Sequence, residues 1–106
     1  MIKVKISSNQ PEKLCRCGNW FTHWKNFSHR FITGCPVVGC GKVDIEGAHV
    51  QKFESDDKEI YILPLCTEHS KSKEVLNILE ATKFVSADVK KTCGEGFMTY
   101  IDAPVL

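Results

Sequence analysis

The first third of the chain shows two different periods of apolar residues. Residues 2–6 alternate apolar and charged side chains, a period that predicts a strand, here at the edge of a sheet. From Asn19, a residue type that commonly caps helices, large aromatic side chains recur at helical spacing and predict a helix that ends near Gly34. The stripe consists of Trp20, Trp24, Phe27 and Phe31. Helical spacing of large apolar groups indicates core packing, although Lys25 and Arg30 nearby would also suit a platform for stacked bases.

The rest of the chain predicts a hairpin, a second helix and a further strand. Two short apolar segments, 43–53 and 60–65, are separated by a polar stretch and favour a β-hairpin. After Cys66 the apolar spacing becomes helical and predicts a helix over about residues 67–81. Its apolar face is formed by Val75, Leu76, Ile78 and Leu79. Residues 83–87 are typical of another strand, so the predicted fold class is α+β.

The composition of the chain is notable for its cysteines and histidines. The chain has 106 residues, six Cys, four His and a formal net charge of +1. This length predicts a single domain over 1–106, and a domain so small has modest stability unless something cross-links it. We divide it into an N-terminal strand and helix (1–34), a central unit (35–80) and a C-terminal strand and tail (82–106). The near-neutral charge excludes a strong overall field toward polyanions.

The compartment decides whether paired cysteines form disulfides or bind metal. The first residues lack the apolar core of a secretory signal, and no apolar run approaches the roughly 20 residues that span a bilayer. We therefore expect a cytoplasmic protein without a membrane partner. In a reducing compartment, paired cysteines are more often metal ligands than disulfides.

Two short-spaced pairs of residues predict one structural zinc site. Cys35 and Cys40 lie in the Gly- and Pro-rich turn of residues 34–41, and the glycines let both thiolates point inward. Cys66 and His69 have the i, i+3 spacing that places both side chains on one face of the first turn of the predicted helix. Two such pairs favour a tetrahedral Zn²⁺ ion. The alternatives are buried free thiols or a disulfide between Cys35 and Cys40.

A second and weaker cluster involves the remaining cysteines. A second zinc ion would be held by Cys15, Cys17, His23 and Cys93. This arrangement requires the first turn of the aromatic helix to fold back toward the tail, and a Cys-x-Cys spacing is an awkward chelate for one ion. Free thiols, or cysteines that only pack, are the alternative.

The central motifs resemble a known family. The order of metal-binding turn, hairpin and helix resembles treble-clef zinc domains. More narrowly, three motifs resemble the HNH (His-Me finger) endonuclease family over about residues 35–80. They are Cys35-x4-Cys40, Gly47-Ala-His-Val50, and Tyr61-Ile-Leu-Pro-Leu-Cys66-x2-His69 followed by Lys73.

The resemblance implies a catalytic role for one histidine. In that family the zinc is structural, and a histidine on the first hairpin strand is the general base that activates water, which here is His49. The family's catalytic metal ligands fall at Ala48 and Ser70, and its orienting asparagine falls near Tyr61. This chain therefore keeps the base and lacks the residues that hold the catalytic metal. The alternatives for His49 are a hydrogen-bonded histidine packed beneath the zinc loop, or a contact to a ligand or nucleic acid.

Three classes of function follow. The favoured class is a zinc-stabilised, HNH-like binding module without catalysis, which contacts nucleic acid or a protein; the resemblance would direct it to nucleic acid, and to DNA rather than RNA. Its contacts would come from Lys71, Lys73 and the loop around His49. The second class is an active metal-dependent endonuclease, and the third is a structural or protein-interaction zinc domain. The sequence does not decide the oligomeric state.

Overall fold

The computed structural model of the protein describes residues 2–7, 17–89 and 91–92. This part of the chain contains one α-helix, five strands and one short 3₁₀ turn, so the α+β class is confirmed. The helix is α1 (Trp20–Ser28), and the 3₁₀ turn is His69–Lys71. The strands are β1 (Ile2–Ile6), β2 (Ile45–Lys52), β3 (Tyr61–Cys66), β4 (Leu76–Ile78) and β5 (Val85–Ser86).

The five strands form one antiparallel sheet in the order β4-β1-β2-β3-β5. Val4 of β1 pairs with Lys52 of β2 on one side and with Leu76 of β4 on the other. The prediction of an edge strand for residues 2–6 is therefore wrong, although the strand itself is confirmed. Its lysines alternate with buried residues, a pattern that reports one covered sheet face and not the edge of a sheet.

The predicted hairpin is present and carries the longest pairing in the sheet. β2 and β3 pair from Ile45 opposite Cys66 to Val50 opposite Tyr61. In the connecting loop, the Tyr61 hydroxyl donates a 2.5 Å hydrogen bond to the Asp57 carboxylate. The hairpin thus fixes Cys66 at the end of a buried strand.

Helix α1 begins where the sequence predicts and ends earlier. The Asn19 side chain accepts a 2.8 Å hydrogen bond from the Thr22 backbone N–H, which is an N-cap. The helix stops at Ser28, and His29 follows in the left-handed conformation with φ 57°. The predicted extension to Gly34 is therefore wrong, because the chain turns at His29. Phe31, the last residue of the aromatic stripe, lies outside the helix and is 99 % exposed.

The helix predicted over residues 67–81 is wrong. Residues 69–71 form a single 3₁₀ turn, and Leu76–Ile78 form strand β4. Leu76 and Ile78 are buried whereas Asn77 is exposed, which is the period of a strand. Pairing with β1 decides the conformation here. The metal-binding turn and hairpin of the predicted treble clef are present, but its helix is not, so a treble-clef fold is not confirmed.

The C-terminal prediction is confirmed in part. β5 lies inside the predicted strand 83–87 and pairs with β3. Beyond it, residue 90 and residues 93–106 lie outside the described part of the chain.

The sheet separates two apolar clusters. One face carries the larger cluster, which includes Val4, Val50, Leu63, Leu65 and Ile78 and reaches the metal-binding turn through Cys35 and Val37. The other face packs against α1, where Trp24, 2 % exposed, contacts Ile62, Val85 and Ala87. Trp24 Nε1 donates a 2.7 Å hydrogen bond to the carbonyl of Lys83. Both apolar clusters thus contain residues of the same strand, β3.

Helix α1 lies unusually close to β2 at one residue. A Cβ atom added to Gly47 would lie 2.5 Å from the backbone nitrogen of Phe21. Glycine at this position therefore allows the helix backbone to touch the strand.

None of the helices in the described part of the chain has the length and apolar character that a membrane-spanning helix needs.

Candidate metal centre

The first ligand pair lies in a tight turn, residues 34–41, which we call the knuckle. The Cys35 backbone N–H donates to the carbonyl of Lys42 at 2.7 Å, and the Cys40 N–H donates to the carbonyl of Val37 at 2.9 Å. These bonds fold the two cysteines toward each other although four residues separate them in sequence.

Glycines make this curl sterically accessible. Gly39 and Gly41 have φ of 85° and 78°, in the region that favours glycine. Gly34 is constrained differently, because a Cβ there would lie 2.5 Å from the carbonyl oxygen of Gly41. The glycines of the sequence motif thus have a direct conformational reason.

The second ligand pair follows the hairpin. Cys66 is the last residue of β3 and is fully buried, and His69 begins the 3₁₀ turn. The His69 backbone N–H donates to Cys66 Sγ at 3.4 Å. Two acidic residues at the start of β2 anchor this turn. The Thr67 hydroxyl donates to the carboxylate of Asp44, the residue before β2, at 2.5 Å. The Thr67 backbone N–H donates to the Asp44 carbonyl at 3.1 Å. The Ser70 hydroxyl donates to the Glu46 carboxylate.

All four predicted ligand atoms converge on one point. His69 Nδ1 lies 3.3 Å from Cys66 Sγ and 3.6 Å from Cys35 Sγ, and Cys40 Sγ lies 3.9 Å from Cys66 Sγ. The four atoms lie within 4.8 Å of one another. In a tetrahedral zinc site, bond lengths of about 2.3 Å to sulfur and about 2.0 Å to nitrogen separate the ligand atoms by about 3.5–3.8 Å. The spacing therefore suits a single ion.

A disulfide is not what brings the sulfurs together. Cys35, Cys40 and Cys66 are all unbridged, and the 3.9 Å between Cys40 and Cys66 far exceeds the roughly 2.05 Å of an S–S bond. The disulfide alternative for Cys35 and Cys40 is thus not the arrangement in this structure. Three sulfurs and one imidazole nitrogen form a ligand set that can hold a metal ion.

The surroundings of Cys35 and Cys40 shift the pKa values of their thiols in opposite directions. Burial raises the pKa of the Cys35 thiol to about 11. A hydrogen bond from the backbone N–H of Lys42 is the main cause that lowers the pKa of Cys40. A bound divalent cation would stabilise the thiolate form of these sulfurs.

His49 lies on the other face of the sheet from the large apolar cluster. Its side chain is 5 % exposed, and its ring packs edge-on against Trp20 with 4.8 Å between ring centroids. Among the described residues, no hydrogen-bond partner lies within reach of its Nε2 atom. Burial, followed by the nearby His23, lowers the pKa of His49. The histidine is thus buried as the alternative interpretation expected, but against α1 and without a partner for Nε2.

The positions that the HNH resemblance assigns to a catalytic metal do not form a ligand cluster around His49. Ala48 belongs to the opposite apolar cluster, and Ser70 hydrogen bonds to Glu46. Tyr61 hydrogen bonds to Asp57 in the hairpin loop, which raises the pKa of its hydroxyl to about 12. Each of these side chains has a structural partner elsewhere.

Two members of the weaker second cluster are close together. Cys17 Sγ lies 3.9 Å from His23 Nδ1, and His23 is fully buried. His23 Nε2 lies 2.9 Å from the Ser86 carbonyl oxygen, so Nε2 carries the proton and Nδ1 faces the sulfur. Burial lowers the pKa of His23. Cys15 and Cys93 lie outside the described residues, so a second zinc ion stays a prediction.

The lysines predicted to contact nucleic acid are exposed and stand in mixed surroundings. Lys71 ends the 3₁₀ turn, and Lys73 follows it on the surface. The carboxylate of Glu68 in the same segment forms an ion pair with Lys42. The carboxylates of Asp44 and Glu46 accept hydrogen bonds from the hydroxyls of Thr67 and Ser70. The surface around the metal site therefore carries both signs of charge.

The supporting residues of the site are what sequence reasoning missed. Asp44 and Glu46 fall in the predicted hairpin segment 43–53, where the sequence offered them only as distant substitutes for the missing catalytic metal ligands, and they fix the turn that carries Cys66 and His69. The available signal was the hydroxyl residues Thr67 and Ser70 interleaved with the second ligand pair, since such hydroxyls commonly hydrogen bond to nearby acceptors.

Comparison of the chain with protein-family models, with curated proteins and with solved structures found no match to any of them. The likeness to the HNH family consequently depends on the motifs alone, and function has to be argued from the geometry of the metal site.

Proposed function

We propose that this protein is a zinc-stabilised binding module without catalytic activity. The observation that carries the proposal is the convergence of three sulfurs and one imidazole nitrogen within 4.8 Å of one another. Such a set fills all four positions of a tetrahedral ion, whereas catalytic zinc keeps one position for water or substrate. The soft thiolate ligands favour zinc over the oxygen-seeking cations magnesium and calcium.

A structural ion at this place joins parts of the chain that are distant in sequence. It would link the knuckle to the end of β3 and to the 3₁₀ turn, and the first two of these contribute residues to the large apolar cluster. For a domain of 106 residues this cross-link supplies stability that a small core lacks.

The environment of His49 supports the absence of catalysis. A general base must reach the proton of a bound water, and His49 is 5 % exposed and packed against Trp20. A catalytic metal needs oxygen or nitrogen ligands, and Ala48 offers none.

The mixed charge around Lys71 and Lys73 favours a protein partner over nucleic acid. Binding to a phosphate backbone depends on several lysines and arginines that act together. Here Glu46 and Glu68 contact the same turn and oppose that field.

Metal content and stability test the zinc site. Native mass spectrometry should find zinc in the purified protein and one zinc fewer in Cys66→Ser. Val43→Ser, a change at an exposed residue beside the knuckle, should keep the metal. We expect Cys66→Ser to lose at least about 3 kcal/mol of unfolding free energy, because structural zinc sites contribute their binding free energy to folding. A wild-type protein that folds fully and binds no metal would refute the proposal.

Two assays test the remaining alternatives. A plasmid nicking assay with Mg²⁺ or Mn²⁺ should show no cleavage, and cleavage that disappears in His49→Ala would establish the endonuclease instead. Mobility shifts with duplex DNA should be weak, and a salt-dependent shift lost in Lys71→Glu and Lys73→Glu would establish a nucleic-acid module.

A further inference from the structure

A groove runs along the knuckle on the side away from the hairpin. It has a volume of about 620 Å³ and lies between the connection that follows α1, the knuckle and residues 79–83. Its lining includes Arg30, Phe31, Val37, Leu79, Thr82 and Lys83. The groove is open to solvent along its length, so it suits an extended chain more than a small enclosed ligand.

Exposed apolar side chains border this knuckle groove. Phe31 is 99 % exposed and Leu79 is 50 % exposed, and both line the groove. Val38 at the knuckle tip is also exposed. Covering such side chains is favourable by about 25 cal/mol for each Å² of apolar surface removed from water. An exposed apolar patch of this kind is typical of an interaction site.

The walls of the groove are fixed before any partner binds. The Leu79 backbone N–H donates to the carbonyl of Pro36 at 3.0 Å, which holds one wall to the other. Trp24, which lines the groove at its base, donates its indole N–H to the Lys83 carbonyl at 2.7 Å. A preformed site avoids the ordering cost that a flexible surface pays on binding.

Apart from the metal ligands Cys35 and Cys40, which also line the groove, its charged side chains have one sign. Arg30 and Lys83 are the charged side chains among its described lining residues, and no described carboxylate lines it. Neither forms an ion pair with a described residue. Since the whole chain carries a formal charge of only +1, this positive character is local. The groove therefore complements a partner that carries carboxylates.

Two features favour a peptide over a nucleic acid. Single-stranded nucleic acid binds where several aromatic rings stack successive bases and a row of cations follows the phosphates. The groove offers one exposed aromatic ring, an aliphatic side chain from Leu79 and two cations. Aliphatic contacts and isolated cations suit apolar side chains that alternate with carboxylates.

We propose that the knuckle groove binds an extended peptide segment of a partner protein, with large apolar side chains against Phe31 and Leu79 and carboxylates toward Arg30 and Lys83. This inference rests on the proposed function, because the knuckle forms one wall of the groove and the metal site holds the knuckle. The ligand class is thus an acidic peptide with apolar anchors.

A displayed peptide library tests the assignment. Random nine-residue peptides on phage are selected against the zinc-loaded protein, and enriched sequences are resynthesised with a fluorophore for polarisation measurements. We expect enrichment of peptides that combine aspartate or glutamate with leucine, phenylalanine or tryptophan. Phe31→Ala and Lys83→Glu should each weaken binding at least tenfold. The matched controls Val43→Ala and Lys5→Glu change exposed residues outside the groove lining and should leave the affinity within twofold.

The outcomes separate the groove from the metal site. Native mass spectrometry of every variant reports zinc, so missing metal in the wild type counts against the proposed function and not against the peptide assignment. Metal-loaded protein that enriches no acidic apolar peptide overturns the groove proposal, as does binding that Phe31→Ala leaves unchanged. Binding of a labelled oligothymidine that Phe31→Ala and Lys83→Glu abolish would also overturn it, because the groove would then belong to a single strand.

Discussion

Val37 of the knuckle pairs with Ile78 of β4 in an isolated antiparallel bridge. Next to it, the Val38 N–H donates to the Asn77 carbonyl at 2.9 Å, and the Leu79 N–H donates to a knuckle carbonyl at 3.0 Å. β4 in turn pairs with β1 in the sheet. The segment between Cys35 and Cys40 is therefore connected to the sheet through backbone bonds, and the metal site and β4 are coupled.

This coupling predicts which backbone amides exchange faster when the metal is removed. Chelation should speed amide hydrogen exchange at Val38 and Leu79 at least tenfold more than at Ala87, whose N–H donates to the Ile60 carbonyl on the opposite side of the sheet. The reason is that the knuckle loses its cross-link while β3 and β5 keep their pairing. Amide hydrogen exchange measured by mass spectrometry with and without chelator tests this prediction. Equal acceleration at all three amides would show that the whole domain unfolds as one unit.

Gly47 predicts the cost of the close approach between α1 and β2. Gly47→Ala places a Cβ 2.5 Å from backbone atoms of α1, and backbone atoms cannot rotate away as side chains do. We expect a loss of about 2–3 kcal/mol in unfolding free energy, measured by urea denaturation.

The matched control for this substitution is Gly39→Ala. Gly39 has nothing within 4 Å of its would-be Cβ, and only its φ of 85° disfavours alanine. That conformational cost is about 1 kcal/mol. If Gly39→Ala costs as much as Gly47→Ala, the helix does not contact the strand as described.

The unpartnered nitrogen of His49 predicts a dependence of stability on pH. Burial lowers the pKa of His49 below its ordinary value of 6.5. The unfolded chain therefore takes up a proton that the folded protein resists, and the unfolding free energy falls as pH decreases through about 6.5 toward the folded-state pKa. One such group contributes at most about 1.4 kcal/mol per pH unit.

His49→Leu isolates this contribution. The variant should show a flatter decline in unfolding free energy between about pH 7 and pH 5, and it should be at least as stable as wild type at pH 7, because no unpaired nitrogen is then buried. His23, whose pKa burial also lowers, is present in both proteins, so the difference between the two slopes reports the removal of the His49 ring. Identical slopes for the two proteins would contradict the buried position of His49.

Cys17 predicts the number of bound ions. We expect one zinc in the wild-type protein and one in Cys17→Ser, because a Cys-x-Cys spacing is an awkward chelate and, of the predicted second set, the structure describes only Cys17 and His23, 3.9 Å apart. Native mass spectrometry of both proteins provides the count. Two ions in the wild type and one in Cys17→Ser would establish the second site, with Cys15 and Cys93 as the next residues to replace.

Local signals were sufficient for the strands of the hairpin and for the ligands. Residues 2–6 alternate, and the two apolar segments of the hairpin are short and separated by a polar stretch, so each favours a strand. The ligand pairs were predictable because each is close in sequence, and Gly39 and Gly41 mark the turn that closes the first.

Long-range pairing explains what the sequence did not reveal. Val75, Leu76, Ile78 and Leu79 fit both a helical and an alternating pattern, and the choice is made by hydrogen bonds to β1 and to the knuckle, which are remote in the chain. No window of sequence around these residues contains that information. The early end of α1 has a similar origin, since the chain must leave the helix at His29 to reach the knuckle.

The position of β1 bears on how the protein is made. Both strands that flank β1 follow it in the chain, with α1 and the knuckle in between. On the ribosome this strand therefore emerges with both backbone edges unpaired and has to wait until residue 78 is available. Pairing of β1 with β4 is therefore a late event in synthesis, and the strand that completes it is also the one that bridges to the knuckle.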